Sequence, residues 1–315
     1  MPTTEEFLAE IQSDDEDVRY AAWSIAEQMD PAVIPALSEL LLADEPGVRK
    51  AAAEALNNIV HSVGKEVDAL ALRAAAGRAE ASESDKRQAV VKELLSLLGS
   101  ERQEAERVMA LRQLSLIATV DAVPAIAELA PDRNLREEVV FCLERIPGKT
   151  SEDALLGALA NADDDFKPRV LAALGHRQAE EAMSACLEAM KSPDATLAMA
   201  GMKAAARIGG RVGGELRLPD YDALSEWHKT EFTDSLLRYA DAQVEKGNPN
   251  GAWPIYRQVL EREEEHWQCA AIVAIAKIGT AEAAAAIFPK LRSDDSTVRI
   301  TAQKTWERMS KPSEA

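Results

Sequence analysis

A motif built on Asp-x-x-Val-Arg-x-x-Ala returns along this chain at near-multiples of thirty residues, and it constrains the fold more than any other feature. It reads DEDVRYAA from Asp15, DEPGVRKAAA from Asp44, DDFKPRVLAA from Asp164 and DDSTVRITA from Asp294. Looser copies surround Arg107 (EAERVMAL from Glu104) and Arg136 (NLREEVV from Asn134). From Arg19 to Arg49 is 30 residues, and from Arg49 to Arg169 is 120, four such periods. A fixed period of this size marks a stack of supersecondary units that each bury their apolar face on a neighbour. Length then ceases to count domains, because such arrays grow by addition.

The side chains agree with helices. Of the 315 residues 47% are hydrophobic but only 4% aromatic, so the core must be largely aliphatic, which suits closely spaced helices. Around Arg19, the apolar set Val18, Ala21, Ala22, Ile25 and Met29 falls at three- and four-residue steps, one stripe of a helix. Thr3-x-x-Glu6 has the form of a capping box, and Ser192-Pro193 places a proline just inside a helix start. Gly64, Gly99, Gly209 and Gly279 follow apolar stretches as stop signals. The resulting unit is a pair of short helices, the second carrying the Val-Arg motif.

Helix pairs are predicted at 3–12 with 16–29, 32–42 with 46–62, 86–98 with 103–118, and 121–130 with 133–146. Further pairs fall at 151–160 with 166–177, 178–191 with 194–208, 250–262 with 263–278, and 281–291 with 295–309. No stretch alternates in a strand pattern. Two places break the period. Residues 65–85 read as a loop or as an extra, poorly packed helix. Residues 209–220 hold four glycines and a proline, and a long helical pattern over 221–246 follows. The organisation expected is one stack over 1–208 and another over 221–315, joined at 209–220.

The Val-Arg helices, the Asp-rich turns before them, and the endings ALGH and AKIGT resemble the HEAT repeat, in particular the short HEAT-like form of phycobilisome lyases. Separately, YADA from Tyr239, Gly247-Asn248, Ala252 and YRQVL from Tyr256 resemble a single tetratricopeptide hairpin near 239–260. The HEAT resemblance implies an all-α, right-handed α-solenoid of about eight helical hairpins whose second helices line the concave face. It also implies that the Asp caps the second helix, while the Arg pairs between repeats in a ladder of Arg19, Arg49, Arg107, Arg136, Arg169 and Arg299. It does not imply one function, because such solenoids serve mostly as binding surfaces and occasionally as enzymes.

A residue needed in every unit is structural, whereas a catalytic acid is needed once, so the Asp-Arg element is no active site. The four histidines are followed by Ser62, Arg177, Lys229 and Trp267. The His-Glu dipeptides that hold iron in HEAT hydroxylases are therefore missing, as is HExxH. The acidic runs at Asp14, Asp163 and Glu261 lack EF-hand spacing and read as solvated turns. Arg207, Arg211 and Arg217 beside the glycines of 209–214 form an anion-binding candidate, set against a plain irregular crossing; Walker spacing is absent. Cys142, Cys186 and Cys269 lie in apolar helical runs and read as small hydrophobes of a reducing compartment.

Charge narrows the partners. A net −18 repels nucleic acid and anionic membranes, and the segment 65–92, with six bases against five acids, offers no basic groove. Residues 1–60 carry −10 of that charge, either as an acidic capping repeat or as a docking face for a basic partner. The N-terminus has no secretory pattern and no run is long enough to span a membrane, so a cytoplasmic protein is expected. The expected function is a scaffold or regulatory module taking a protein partner along the second helices, at Tyr20, Lys50, Glu54, Glu137 and Lys304, with no catalytic residue, metal or cofactor. The alternatives are a HEAT-like enzyme or enzyme subunit, such as a chromophore lyase component or a base-excision enzyme, and a structural element of a larger assembly.

Overall fold

The structure is a computed structural model, and it describes residues 2–75, 85–209, 221 and 224–310. Its described residues are all-helical, with no strand among them. They form two compact units, Met1–Asn161 and Ala162–Ala315.

The first unit is a run of helical hairpins. Helices α1 (Thr4–Ile11) and α2 (Glu16–Ser24) form the first pair, and α3 (Ile34–Leu40) and α4 (Pro46–Ala75) form the second. Next come α5 (Asp85–Ser96) with α6 (Glu104–Ile117) and α7 (Val123–Ala127) with α8 (Arg136–Arg145), followed by α9 (Lys149–Asn161). The starts of α1 and α2 have local causes. At α1 the capping box is closed in both directions, Glu6 N donating to Thr3 Oγ1 at 3.2 Å and Thr3 N to Glu6 Oε2 at 2.8 Å. Asp15 accepts from Asp17 N at 2.9 Å to cap α2. Phe7, Ile34, Leu37, Leu56, Ile59, Leu94 and Leu111 are fully buried between the helices, the aliphatic core that the composition demands.

The second unit contains α10 (Lys167–His176), α11 (Met183–Ala189), α12 (Ala195–Ile208), α13 (Glu226–Glu245), α14 (Pro249–Leu260), α15 (Glu265–Ala276), α16 (Ala281–Ile287) and α17 (Ser296–Ser310). Glycines let α12 come close to its neighbours. A Cβ on Gly201 would lie 2.6 Å from the Cys186 carbonyl oxygen, and one on Gly175 would lie 2.8 Å from Ala204 Cα. Phe232, Tyr239 and Tyr256 are buried about α13 and α14, the hairpin of the tetratricopeptide resemblance, which turns at Gly247 with φ +78°.

The sequence reading needs four corrections. Gly64 does not end a helix: α4 runs on to Ala75 and so enters the 65–85 stretch, whose residues 76–84 lie outside the described residues. Pro193 precedes the cap of α12 rather than following it, because Asp194 is the residue that accepts from Leu197 N, at 2.8 Å. The α-helix of the 221–246 pattern starts at Glu226 rather than at 221, with Ser225 accepting from His228 N as its cap. Finally, the compact units divide between Asn161 and Ala162, not at 209–220. Residues 210–220 lie outside the described residues, but packing on either side of them is continuous. Helix α12 ends on Gly209, whose left-handed φ of +59° brings it against Ala242 of α13, and Lys246 Nζ donates to Ile208 O at 3.0 Å.

Candidate partner-binding face

The Asp-Arg element is a turn clamp. Arg19 Nη1 donates to Ser13 O at 2.6 Å, and Arg49 Nη1 donates to Ala43 O and Asp44 O at 2.6 and 2.7 Å. Arg299 Nη1 donates to Ser293 O at 2.5 Å and Asp294 O at 3.2 Å. In each case the guanidinium reaches back five or six residues to main-chain carbonyls that the end of the first helix leaves without partners. These three arginines therefore each close a hairpin on itself, where carboxylate pairing between repeats was expected. Contact between repeats is added where the neighbour is near. The Arg19 guanidinium lies against Gly47 of the next hairpin, where a Cβ would come within 2.7 Å. Arg107 combines both functions, with Nε on Leu98 O at 3.2 Å and Nη1 on Asp132 Oδ2 of the following turn at 3.2 Å. Arg136 and Arg169 are half-buried at the start of α8 and in the first turn of α10.

The acids of the N-terminal sixty residues are partly consumed by the same turns. Glu6, Asp15, Asp30 and Glu45 all accept main-chain N–H bonds at helix starts. For Glu6 the Thr3 backbone N–H, then the Thr3 hydroxyl, hold the carboxyl below its ordinary pKa.

The second helices of the first unit each present a stripe to solvent. On α2 it begins with Tyr20, set edge-on to Trp23 with ring centroids 4.8 Å apart. On α4 it is Lys50, the half-buried Glu54, Asn57 and His61; on α6, Arg112 and Leu116; on α8, Glu137, Phe141 and Arg145. Steps of three and four residues keep each stripe on one side of its helix. Of the sites expected here, Tyr20, Lys50 and Glu137 are exposed and Glu54 is half-buried. Polar bridges connect the stripes from helix to helix, and these were not foreseen. Asn58 Nδ2 donates to Trp23 O at 2.9 Å, linking α4 to α2. Gln113 Nε2 donates to Asn57 Oδ1 at 3.1 Å, linking α6 to α4. Arg112 Nη2 and Nε reach Glu138 Oε1 at 2.5 and 3.0 Å, linking α6 to α8. The hydrogen bond to Glu138, with its charge second, raises the Arg112 pKa. Arg145 lies 5.5 Å over the Phe141 ring. The face is balanced in charge and studded with exposed Tyr20, Leu116 and Phe141. For the bridges, the sequence signal was Asn57 and Asn58, two adjacent amides in ALNNIV.

In the second unit, Lys304 is exposed on α17, and Arg207 is exposed in the last turn of α12. Arg211 and Arg217 lie outside the described residues. Basic groups nearby are engaged with aromatic and acidic ones. Arg262 lies 3.8 Å over the Tyr221 ring and meets Thr233 Oγ1, and burial lowers its pKa. Lys203 pairs with Glu231 and lies 5.4 Å over Trp227. Deeper in α13–α15, the Tyr256 hydroxyl donates to Asp241 Oδ1 at 2.5 Å and Lys277 Nζ to Asp241 Oδ2 at 2.8 Å. Burial, then that hydrogen bond, raises the Tyr256 pKa. The histidines are dispersed on α4, α10, α13 and α15. Among the described residues no group of three or more His, Cys, Asp or Glu could hold a metal, and no helix is long and apolar enough to cross a membrane.

Stacked helical hairpins closed by a recurrent Asp-Arg turn define an α-helical repeat protein. The family model for HEAT repeats matches residues 4–91, so that segment is similar to HEAT repeats. No curated protein matches it. Among solved structures, an engineered protein is 18% identical, with 99% of this chain and 100% of that one covered at a TM-score of 0.39. Human deoxyhypusine hydroxylase in complex with glycerol is 15% identical, with 71% and 96% covered at a TM-score of 0.37.

Proposed function

We propose that this protein is a non-enzymatic scaffold or regulatory interaction module that takes a protein partner on the second-helix face of its first unit. The observation that carries the reading is the row of cross-hairpin bridges, Trp23–Asn58, Asn57–Gln113 and Arg112–Glu138, running beside exposed Tyr20, Leu116 and Phe141. Bridges of this kind fix side chains that would otherwise lose rotamer freedom on binding. Exposed aromatic and aliphatic groups with an adjacent arginine supply the anchors that carry most interface energy. The similarity of residues 4–91 to HEAT repeats supports the same reading, since stacked repeats offer an extended surface.

The test is capture of partners from the source cell by the wild-type chain and by Tyr20→Asp and Phe141→Asp. Both substitutions change exposed groups, so far-UV circular dichroism should be unchanged. A protein retained by the wild type and lost by both variants supports the proposal. Retention of every captured protein by both variants contradicts it.

A further inference from the structure

One arginine of the second unit is taken partly out of water with no anionic oxygen bonded to it. Arg262 lies in the turn between α14 and α15, where its carbonyl accepts from Gln268 Nε2 at 2.8 Å. Its guanidinium lies 3.8 Å over the Tyr221 ring, and Nη1 donates to the buried Thr233 hydroxyl of α13. That hydroxyl is free to accept because its own proton goes to Lys229 O at 2.7 Å. Tyr221 in turn packs on the almost wholly buried Phe232, with ring centroids 6.5 Å apart. Contacts from α13, α15 and Tyr221 thus fix the guanidinium in place.

Other arginines end on carbonyl or carboxylate oxygen. Arg19 and Arg299 reach main-chain carbonyls, and Arg107 reaches a carbonyl and a carboxylate. Even Arg238 and Arg257, whose side chains are 70% and 66% exposed, meet Asp234 and Glu261. Arg262 is half-buried, so water compensates it less. Yet among the described residues its hydrogen bonds and ring contact go only to Thr233 and Tyr221. A guanidinium carries five N–H donors in a fork that suits both oxygens of a carboxylate, and a partly desolvated charge needs such a partner. The charged neighbours set a limit. Lys229 Nζ lies 5.6 Å from the Tyr221 ring and pairs with Glu226 at 2.9 Å. Glu264 accepts from the Tyr221 hydroxyl at 3.4 Å and acts on Arg262 through its charge alone. Two carboxylates beside the two cations leave room for one further negative charge, and they disfavour a doubly charged phosphate.

We propose that Arg262, with Tyr221 and Lys229 beside it, is a binding site for a monovalent carboxylate, received by the edge of the guanidinium that Thr233 leaves open. This inference is independent of the partner face proposed above, which lies in the first unit. The experiment is NMR of the arginine side-chain Nε–H groups of the full chain, titrated with sodium acetate. Sodium chloride and inorganic phosphate at equal pH and ionic strength are the comparisons. Acetate is expected to move the Arg262 resonance along a saturating curve that chloride does not reproduce. Arg207, exposed at the end of α12, should not move. A second titration uses N-acetyl-glutamate N-methylamide: tighter saturation by it assigns the carboxylate to a peptide side chain, and tighter saturation by acetate assigns it to a free acid. Thermal melts with Arg262→Lys run in parallel. Acetate is expected to raise the wild-type midpoint above that in chloride. The variant should need on the order of tenfold more acetate for the same rise, because one charge-assisted bond is lost. An Arg262 resonance that responds alike to acetate and chloride overturns the proposal. So does phosphate that saturates it at a lower concentration than either carboxylate, or Arg262→Lys that responds as the wild type does. Should Arg262→Lys misfold, the wild-type titration decides alone.

Discussion

Coupling between neighbouring hairpins in the first unit should be measurable at one buried contact. Glu106 of α6 is almost wholly buried, and its Oε1 faces the fully buried Ser38 hydroxyl of α3 at 2.9 Å. Its other oxygen accepts from Gln103 N at 3.0 Å, closing the capping box of α6. Arg102 Nη1 lies 3.4 Å from Oε1 and 3.0 Å from Glu39 Oε1. A hydrogen bond to a charged group contributes about 1.5–3 kcal/mol. Ser38 has one proton, however, and Pro35 O competes for it at 2.7 Å, so the lower end applies. Ser38→Ala should therefore cost about 1.5 kcal/mol. Glu106→Ala should cost more, because it removes that bond together with the cap and leaves the Arg102 charge under-compensated. The decisive quantity is the coupling from a double-mutant cycle, read from urea unfolding by far-UV circular dichroism. We expect about 1 kcal/mol or more. Additivity within ~0.5 kcal/mol would refute the idea that this pair couples α3 to α6.

Arg107→Ala should destabilise more than Arg49→Ala, by about 2–3 against about 1 kcal/mol, since Arg107 is mostly buried and bridges a carbonyl to Asp132 while Arg49 is exposed; equal urea midpoints would contradict the clamp assignment. Gly201→Val should cost about 1–3 kcal/mol or more, because its Cβ would meet the Cys186 carbonyl oxygen at 2.6 Å; an unchanged thermal midpoint would show that α11 and α12 are not that close. Burial pushes the thiols of Cys142 and Cys186 up to about 12, so at neutral pH they carry almost no thiolate. Both should resist iodoacetamide in the native protein and react after denaturation, as peptide mass spectrometry would show. Native labelling at the denatured rate would contradict their burial.

The repeat and most of the helix limits were legible because both rest on local chemistry. Period, Asp caps and apolar stripes at three- and four-residue spacing all act within a few residues of their cause. The Arg ladder was legible in position but not in partner. A guanidinium fits a carboxylate and a main-chain carbonyl equally well, and only the folded turn shows that Arg19, Arg49 and Arg299 reach the latter. Gly64 misled for a related reason: a helical glycine costs only about 1 kcal/mol, which packing overrides, so glycine alone does not end a helix, whereas Gly209 and Gly279 take a positive φ that does. The stripe at Tyr20, Lys50 and Glu137 followed from helical spacing. The bridges between stripes did not, since Asn57 and Gln113 stand 56 residues apart.

Hydrogen–deuterium exchange of the chain alone and with a captured protein partner bound tests the central claim most directly. The account predicts added protection in peptides covering α2, α4, α6 and α8, at Glu16–Ser24, Glu104–Ile117 and Arg136–Arg145 above all, with α1, α3, α5 and α7 unchanged. Protection confined to those first helices, or to the second unit, would contradict it.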